Sequence, residues 1–400
     1  MKHLEDHHFV SSTHYAAFRS QRYFPALDGL RAISILLVLT WHVSERQWWY
    51  LSGYTGVMIF FVLSGFLIHT LLLREEETEG NVSLKSFYLR RSFRILPLYF
   101  TVLAAYIVLA QAPMFRAQAH AFRAALPYYL TGFNDLAPYA PFNQSWSLGV
   151  EEKFYLVWPI LAFLALGTAR FLRMPLMWLL ALCPFVAGAF GHLGWLVPYA
   201  IIMMGCTLAA CLDMEHVYRR LQRFASGFGF VIIPGLCLLF QIMLGLHPDR
   251  TRPIYGWLLM GYVFSIALLL LWGVACWSPL HSLLSSRVMR YIGQRSYGIY
   301  LVHLLCLSAT QRILPPRNTT RTWLLLVMTT AVSLAVAEVL YRLVEHPAIS
   351  LGRRLQQTWL HDKRRLPIAT PALSDEPVET SSEPHAAIDI IAEELVPPSI

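Results

Sequence analysis

The sequence predicts an all-α integral membrane protein: about ten transmembrane helices in one bundle, followed by a disordered cytoplasmic C-terminal tail. Three observations carry this prediction. Hydrophobic residues make up 56% of the 400-residue chain and charged residues 14%, against about 25% charged in an ordinary soluble domain. The mean hydropathy is +0.48. The apolar residues fall into long runs separated by short basic loops, the pattern of helices that satisfy their own backbone groups in lipid.

Ten spans follow in order, at 30–43, 57–73, 96–111, 154–166, 175–190, 194–211, 228–246, 257–277, 297–313 and 323–341. Several are shorter than the ~20 residues of a straight span. The first and fourth extend into polar flanks, a sign of an aqueous cavity. Residues 1–24 are polar and carry no apolar signal core, so the first run is expected to stay in the membrane. With the N-terminus placed inside, 23 Lys and Arg fall on inner segments and 9 on outer ones. The positive-inside rule then predicts both termini in the cytoplasm of a cell with a bacterial-type inner or plasma membrane. The division is 1–21 as an N-terminal tail, 22–350 as the transmembrane domain and 351–400 as a cytoplasmic tail. Beyond 366 this tail is rich in Pro, Ser, Ala, Asp and Glu.

The net charge of +8 does not point to nucleic acid, because the basic residues sit between apolar runs rather than on one patch. All six cysteines lie inside apolar runs and read as small core residues. No His, Asp or Glu cluster has ligand spacing, so no metal is expected. The absence of an internal repeat weakly disfavours transporter folds built from repeated halves.

The first span carries Arg31 and His42, eleven positions apart. That is about three helical turns, so both share a face, ~16 Å apart along the axis. Ionisable residues in a span are functional candidates by default. A snorkelling role for Arg31 and a helix-end role for His42 compete with that reading. In GVMIFFVLSGFLI, Ser64 and Gly65 fit close helix packing better than nucleophilic chemistry, since no base is adjacent. Arg90, Arg91 and Arg94 precede the third span. Arg91 and Arg94 share a face and suit phosphate, while an anionic-lipid or topology anchor is the alternative.

In WSLGVEEKFYLVWP, Glu151 and Glu152 lie near a helix start, where Ser145 or Ser147 could cap and the dipole favours carboxylates. Adjacent side chains diverge by about 100°, so at most one of the pair is expected to face the interior. Near the end, Tyr297, Tyr300 and His303 form a stripe, and Glu345 stands before Pro347.

Five segments, LDGLRAISILLVLTWH (27–42), GVMIFFVLSGFLI (56–68), FYLRRSFRILPLYF (87–100), WSLGVEEKFYLVWP (146–159) and YIGQRSYGIYLVH (291–303), occur in one order. Together they resemble membrane-bound acyltransferase family 3, over about residues 22–350. The resemblance implies O-acylation of carbohydrates by an acyl-CoA donor, acetyl in the first instance. It matches Arg31 and His42 to the family's paired Arg and His, Arg91 and Arg94 to its donor-binding R-x-x-R, and Glu151 and Glu152 to its W-S-L-x-V-E-E segment. His69 departs from the pattern, which usually has a residue such as Thr there.

On this basis His42, Arg31, Glu151 and Glu152 are expected to be catalytic, and Arg91 and Arg94 to bind the donor. Trp146, Ser64, Tyr300 and His303 are expected to meet substrate. His42 would act as general base on a sugar hydroxyl, with a transient acyl-His as the variant. Acyl-CoA is expected as co-substrate, with no tightly bound cofactor. The expected partners are the bilayer and a carbohydrate acceptor; nucleic acid and a fused extracytoplasmic acyl-transfer domain are not expected. A transporter or flippase of lipid-linked sugars is the main rival and a regulatory membrane partner the second. The transporter does not need an Arg pair that recognises CoA, and for a regulatory partner alanine at His42 and Arg31 would have little effect.

Overall fold

The computed structural model describes residues 14–21, 23–44, 47–113, 116–189, 194–226, 229–276 and 279–365. Among these every regular element is helical and no strand occurs. The principal helices are α1 (Pro25–Ser44), α2 (Gly56–Glu79), α3 (Leu84–Leu109), α4 (Arg116–Thr131), α5 (Trp146–Pro159), α6 (Arg173–Ala189) and α7 (Val197–Asp213). They continue with α8 (Glu215–Ser226), α9 (Gly229–Leu246), α10 (Pro253–Ala275), α11 (Pro279–Leu284) and α12 (Arg287–Gln294). The chain closes with α13 (Ser296–Ile313), α14 (Thr319–Leu340) and α15 (His346–Arg365).

Among the described residues seven helices are long and apolar enough to cross a membrane, and the protein is a multi-pass membrane protein. The other three predicted spans fall on α5 with the π-turn that follows it, on the shorter apolar α9, and on α13, which carries several polar residues. The helix boundaries have local causes. Ser83 and Asn318 cap α3 and α14 by accepting from the Ser86 and Arg321 amides, at 3.4 and 2.9 Å. Gly80, at φ 74°, ends α2 in the left-handed conformation that glycine adopts without strain. Proline stands inside α3, α6 and α9, which membrane helices tolerate because their neighbours satisfy the freed carbonyls.

The central packing rests on small residues. A Cβ on Gly65 would lie 1.9 Å from the Ile202 carbonyl oxygen of α7, and one on Gly205 would lie 2.1 Å from the Val62 carbonyl oxygen of α2. The two helices are therefore in backbone contact, the close approach that drives association where the lipid offers no hydrophobic contrast. The six cysteines are all free.

Two findings extend the expected domain limits. Residues 14–20 are helical and docked, with Phe18 buried and stacked on Tyr218 at 5.0 Å. Arg19 holds this segment to Glu77 and Asp213 at the ends of α2 and α7. At the other end, α15 carries the helical region past residue 350; the expected disordered stretch 366–400 lies outside the described residues.

Candidate active site

The helices enclose a cavity of about 120 Å³, with walls from α1, α2, α3, α5, α12, α13 and the π-turn Tyr341–Glu345. Arg31, Arg91, Arg94, Ser64, Glu151, Glu152 and Tyr300 line it, so seven of the ten residues singled out by sequence meet there. Trp146, His42 and His303 do not border it.

Helix α5 forms one wall of the cavity. Ser147, Glu151 and Tyr155 line it on three successive turns, spanning about 12 Å at 1.5 Å per residue. Glu151 is held in the middle: Ser64 Oγ donates to its Oε1 at 2.9 Å, and Tyr155 OH donates to its Oε2 at 3.1 Å. Ser64 is thus more than a packing residue. It turns a polar atom from α2 into the cavity and anchors a carboxylate of α5.

At the Tyr155 end the cavity is cationic. The Arg91 guanidinium lies over the Tyr155 ring, 5.3 Å from its centroid. Arg94 lies one turn further along α3, and Arg31 reaches in from α1. Arg31 Nη1 donates to Asp28 Oδ1 at 3.0 Å, and Asp28 is only 4% exposed. Asp28 also accepts from Tyr23 OH and, at 3.3 Å, from Gln294 Nε2. Burial, together with the Asp28 charge, pushes the Tyr23 phenol up to about 12. The third arginine of the sequence cluster plays a different part. Arg90 Nη2 donates to Glu75 Oε2 at 3.0 Å, and the Ser83 amide donates to Glu75 Oε1 at 2.7 Å, so Arg90 ties α2 to α3.

At the Ser147 end Tyr300 borders the cavity. Tyr300 OH donates to the Gln144 carbonyl at 2.6 Å and lies 2.8 Å from Ser147 Oγ. His42 and His303 are associated with this end rather than with the guanidiniums. Their ring centroids are 4.8 Å apart, and His303 is 5.7 Å from Tyr300. Tyr300 therefore stands between the cavity and the histidine pair.

Both carboxylates border the cavity, against the expectation that only one would face inward. The loop after α4 folds over the outer side of α5 and encloses Glu152 as well. A Cβ on Gly132 would lie 3.0 Å from Glu152 Oε2. The buried Glu152 Oε1 has no hydrogen-bond partner among the described residues. Trp146 instead packs edge-on against Phe61, with centroids 5.9 Å apart. His69 is fully buried away from the cavity and accepts from Trp158 Nε1 at 3.2 Å.

The structure adds residues not singled out as site candidates. Tyr155 and Asp28 were findable as the i+4 and i−3 neighbours of Glu151 and Arg31. Glu345 was less so. The inward stripe of α14 runs Thr322, Leu325, Thr329, Ser333, Ala337. Two further α-turns would bring Val344 inward, but the π-turn adds a residue and delivers Glu345, which is 5% exposed.

Among the described residues no group of three His, Cys, Asp or Glu side chains could hold a metal. Phosphate and acyl chemistry are what the arrangement offers: guanidiniums at one end, carboxylates and hydroxyls along the wall, and imidazoles beyond the far end.

Comparison with known proteins is consistent with this arrangement. The profile described as an acyltransferase domain matches residues 24–342. "Putative peptidoglycan O-acetyltransferase YrhL" of Bacillus subtilis is 29% identical over 380 residues, covering 85% of this chain and 57% of its own. "Putative O-acetyltransferase SACOL0978" of Staphylococcus aureus is 28% identical over 331 residues, covering 74% and 52%. "Peptidoglycan O-acetyltransferase OatA" of Listeria monocytogenes is 26% identical over 356 residues, covering 82% and 56%. The chain thus spans little more than half the length of these relatives. No solved structure matches it.

Proposed function

The chain belongs to the acyltransferase domain family, and from that premise we propose that it is a membrane O-acyltransferase. It moves an acyl group, acetyl in the first instance, from acyl-CoA to a hydroxyl of a cell-surface or exported carbohydrate. One observation carries this reading: a single cavity joins Arg31, Arg91 and Arg94 to the anchored carboxylate of Glu151 and ends at Tyr300, beside the histidine pair. A transporter has no need of that asymmetry. The relatives named as peptidoglycan O-acetyltransferases make a peptidoglycan sugar the first acceptor to test.

In this reading the donor enters at the cationic end, which faces the cytoplasm if both termini are inside. Arg91 and Arg94 hold its phosphates, where guanidiniums bind bidentately, and Arg31 offsets developing negative charge. The thioester reaches toward Tyr300. The acceptor hydroxyl arrives from the opposite side, where His42 takes its proton as the oxygen attacks the acyl carbon. The carbon–sulfur bond then breaks, and the thiolate recovers the proton from His42. Glu151 and Glu152 bind and orient the reacting groups from the wall; as the structure stands, the described contacts of Glu151 are to Ser64 and Tyr155 rather than to His42.

The test is transfer of label from radiolabelled acetyl-CoA to surface glycan in membranes that contain wild-type or His42→Ala protein. Label in glycan with the wild type alone is the expected result. Equal transfer by both proteins removes His42 from the chemistry. Failure of purified protein to bind acetyl-CoA removes the enzyme reading.

A further inference from the structure

Both imidazoles of the histidine pair have the same tautomer. His303 Nδ1 is 2.6 Å from the Tyr300 carbonyl oxygen, and His42 Nδ1 is 2.8 Å from the Val38 carbonyl oxygen. A carbonyl oxygen only accepts, so each ring carries its proton on Nδ1 and presents Nε2 as a lone pair. For His303 that lone pair is stranded. The residue is 0% exposed, and its Nε2 has no hydrogen-bond partner among the described residues. A buried polar atom in this state is destabilising unless another state of the protein supplies its partner.

Two rings lie against His303. The Tyr300 hydroxyl is committed to the Gln144 carbonyl and lies against Ser147. The other ring is His42, in an edge-on arrangement at 67°. His42 lacks an Nε2 proton when neutral and gains one when it acts as base. The Glu151 carboxylate is already engaged by Ser64 and Tyr155.

The geometry points to His303 as the positioning residue for His42: its Nε2 accepts the hydrogen bond of the protonated His42 ring. The inference rests on His42 being the base. The acceptor hydroxyl gives its proton to His42 Nε2 as its oxygen bonds to the acyl carbon. That N–H is shared between the reacting oxygen and His303 Nε2 while the carbon–sulfur bond breaks. The proton then leaves with the thiolate as thiol, and both rings return to their neutral form. The Val38 carbonyl holds His42 Nδ1, the nitrogen that a triad carboxylate would hold, and the neutral His303 ring acts instead on the Nε2 that carries the proton, without placing a second charge among apolar side chains.

Two amides separate this role from packing. His303→Gln places an amide oxygen, an acceptor, where Nε2 stood, whereas His303→Asn keeps only the Nδ1 contact with the Tyr300 carbonyl. With acetyl-CoA as donor and peptidoglycan fragments as acceptor, His303→Asn is expected to lower kcat on the order of 10²-fold. Donor KM should be unchanged, and His303→Gln should recover about tenfold of the loss. Equal kcat values for the two variants overturn the inference. Full turnover by His42→Ala overturns the base assignment itself, whatever the His303 variants do. A measurement that needs no turnover is the ¹⁵N imidazole spectrum of the detergent-solubilised protein. Both rings should be protonated at Nδ1, and His42→Ala should move the His303 Nε2 resonance. An Nε2-protonated His303, or a resonance indifferent to His42, also overturns it.

Discussion

Ser64 Oγ and Glu151 Oε1 lie 2.9 Å apart, a hydrogen bond between α2 and α5 that fixes one carboxylate in the middle of the cavity wall. Its removal should show in turnover before it shows in stability. Ser64→Ala leaves Glu151 only the Tyr155 hydroxyl, and loss of a hydrogen bond to a charged group is worth roughly 1.5–3 kcal/mol. A fall in kcat/KM of about 10- to 100-fold is expected, with a larger fall for Glu151→Gln. Initial rates with acetyl-CoA measure both. A silent Ser64→Ala would return that residue to a packing role.

The cationic end should govern donor affinity. Arg91→Ala and Arg94→Ala are each expected to raise the KM for acetyl-CoA by about tenfold or more, with Lys a poor substitute because it lacks the planar fork. Arg90→Ala should behave differently. It breaks the pair with Glu75, so it should lower the melting temperature in detergent more than it changes KM. If Lys restores KM fully at Arg91 and Arg94, a topology anchor explains them better.

Tyr23 offers a pH test outside the membrane. Its phenol titrates near 10 when unfolded and is raised to about 12 in the fold, by burial and by Asp28. A raised pKa means that the fold favours the neutral form. Its contribution to stability is complete below pH 10 and is lost as pH climbs through about 12. The gap in melting temperature between wild type and Tyr23→Phe should be constant through neutral pH and should change across that window. A gap that stays constant up to pH 12 would show that the fold does not raise the Tyr23 phenol.

The α2–α7 contact should tolerate almost nothing. Gly65→Val and Gly205→Val both drive a side chain into backbone carbonyl oxygens. Overpacking of this kind costs about 1–3 kcal/mol, occasionally more. Lower yield and melting temperature are expected, with His42→Ala as the control that loses turnover without losing protein.

Helix content and the cavity's cationic residues were legible because composition and charge position encode them directly. Arg31, Arg91 and Arg94 declare themselves as charges against apolar runs, and they do line the cavity. Three features were hidden for physical reasons. The separate duty of Arg90 depends on Glu75, fifteen positions earlier. Joint enclosure of Glu151 and Glu152 depends on how the loop after α4 lies over α5. The neighbours of His42 were not legible because a helix face gives direction without partners; the structure sets it against His303 of α13, with Tyr300 between the pair and the cavity.

The π-turn at Tyr341–Glu345 acts as a phase insertion. Every residue after it is rotated by about 100° relative to an unbroken α-helix. Straightening the turn without a deletion would exchange Glu345 for Val344 at the cavity and swing α15 around the bundle, whereas deletion of one residue ahead of Glu345 would restore ideal periodicity and leave both in phase. An alignment that scores helices by regular spacing would treat such a deletion as mild. For anyone redesigning this segment or grafting it onto another bundle, the extra residue and the wide turn have to be kept or removed together.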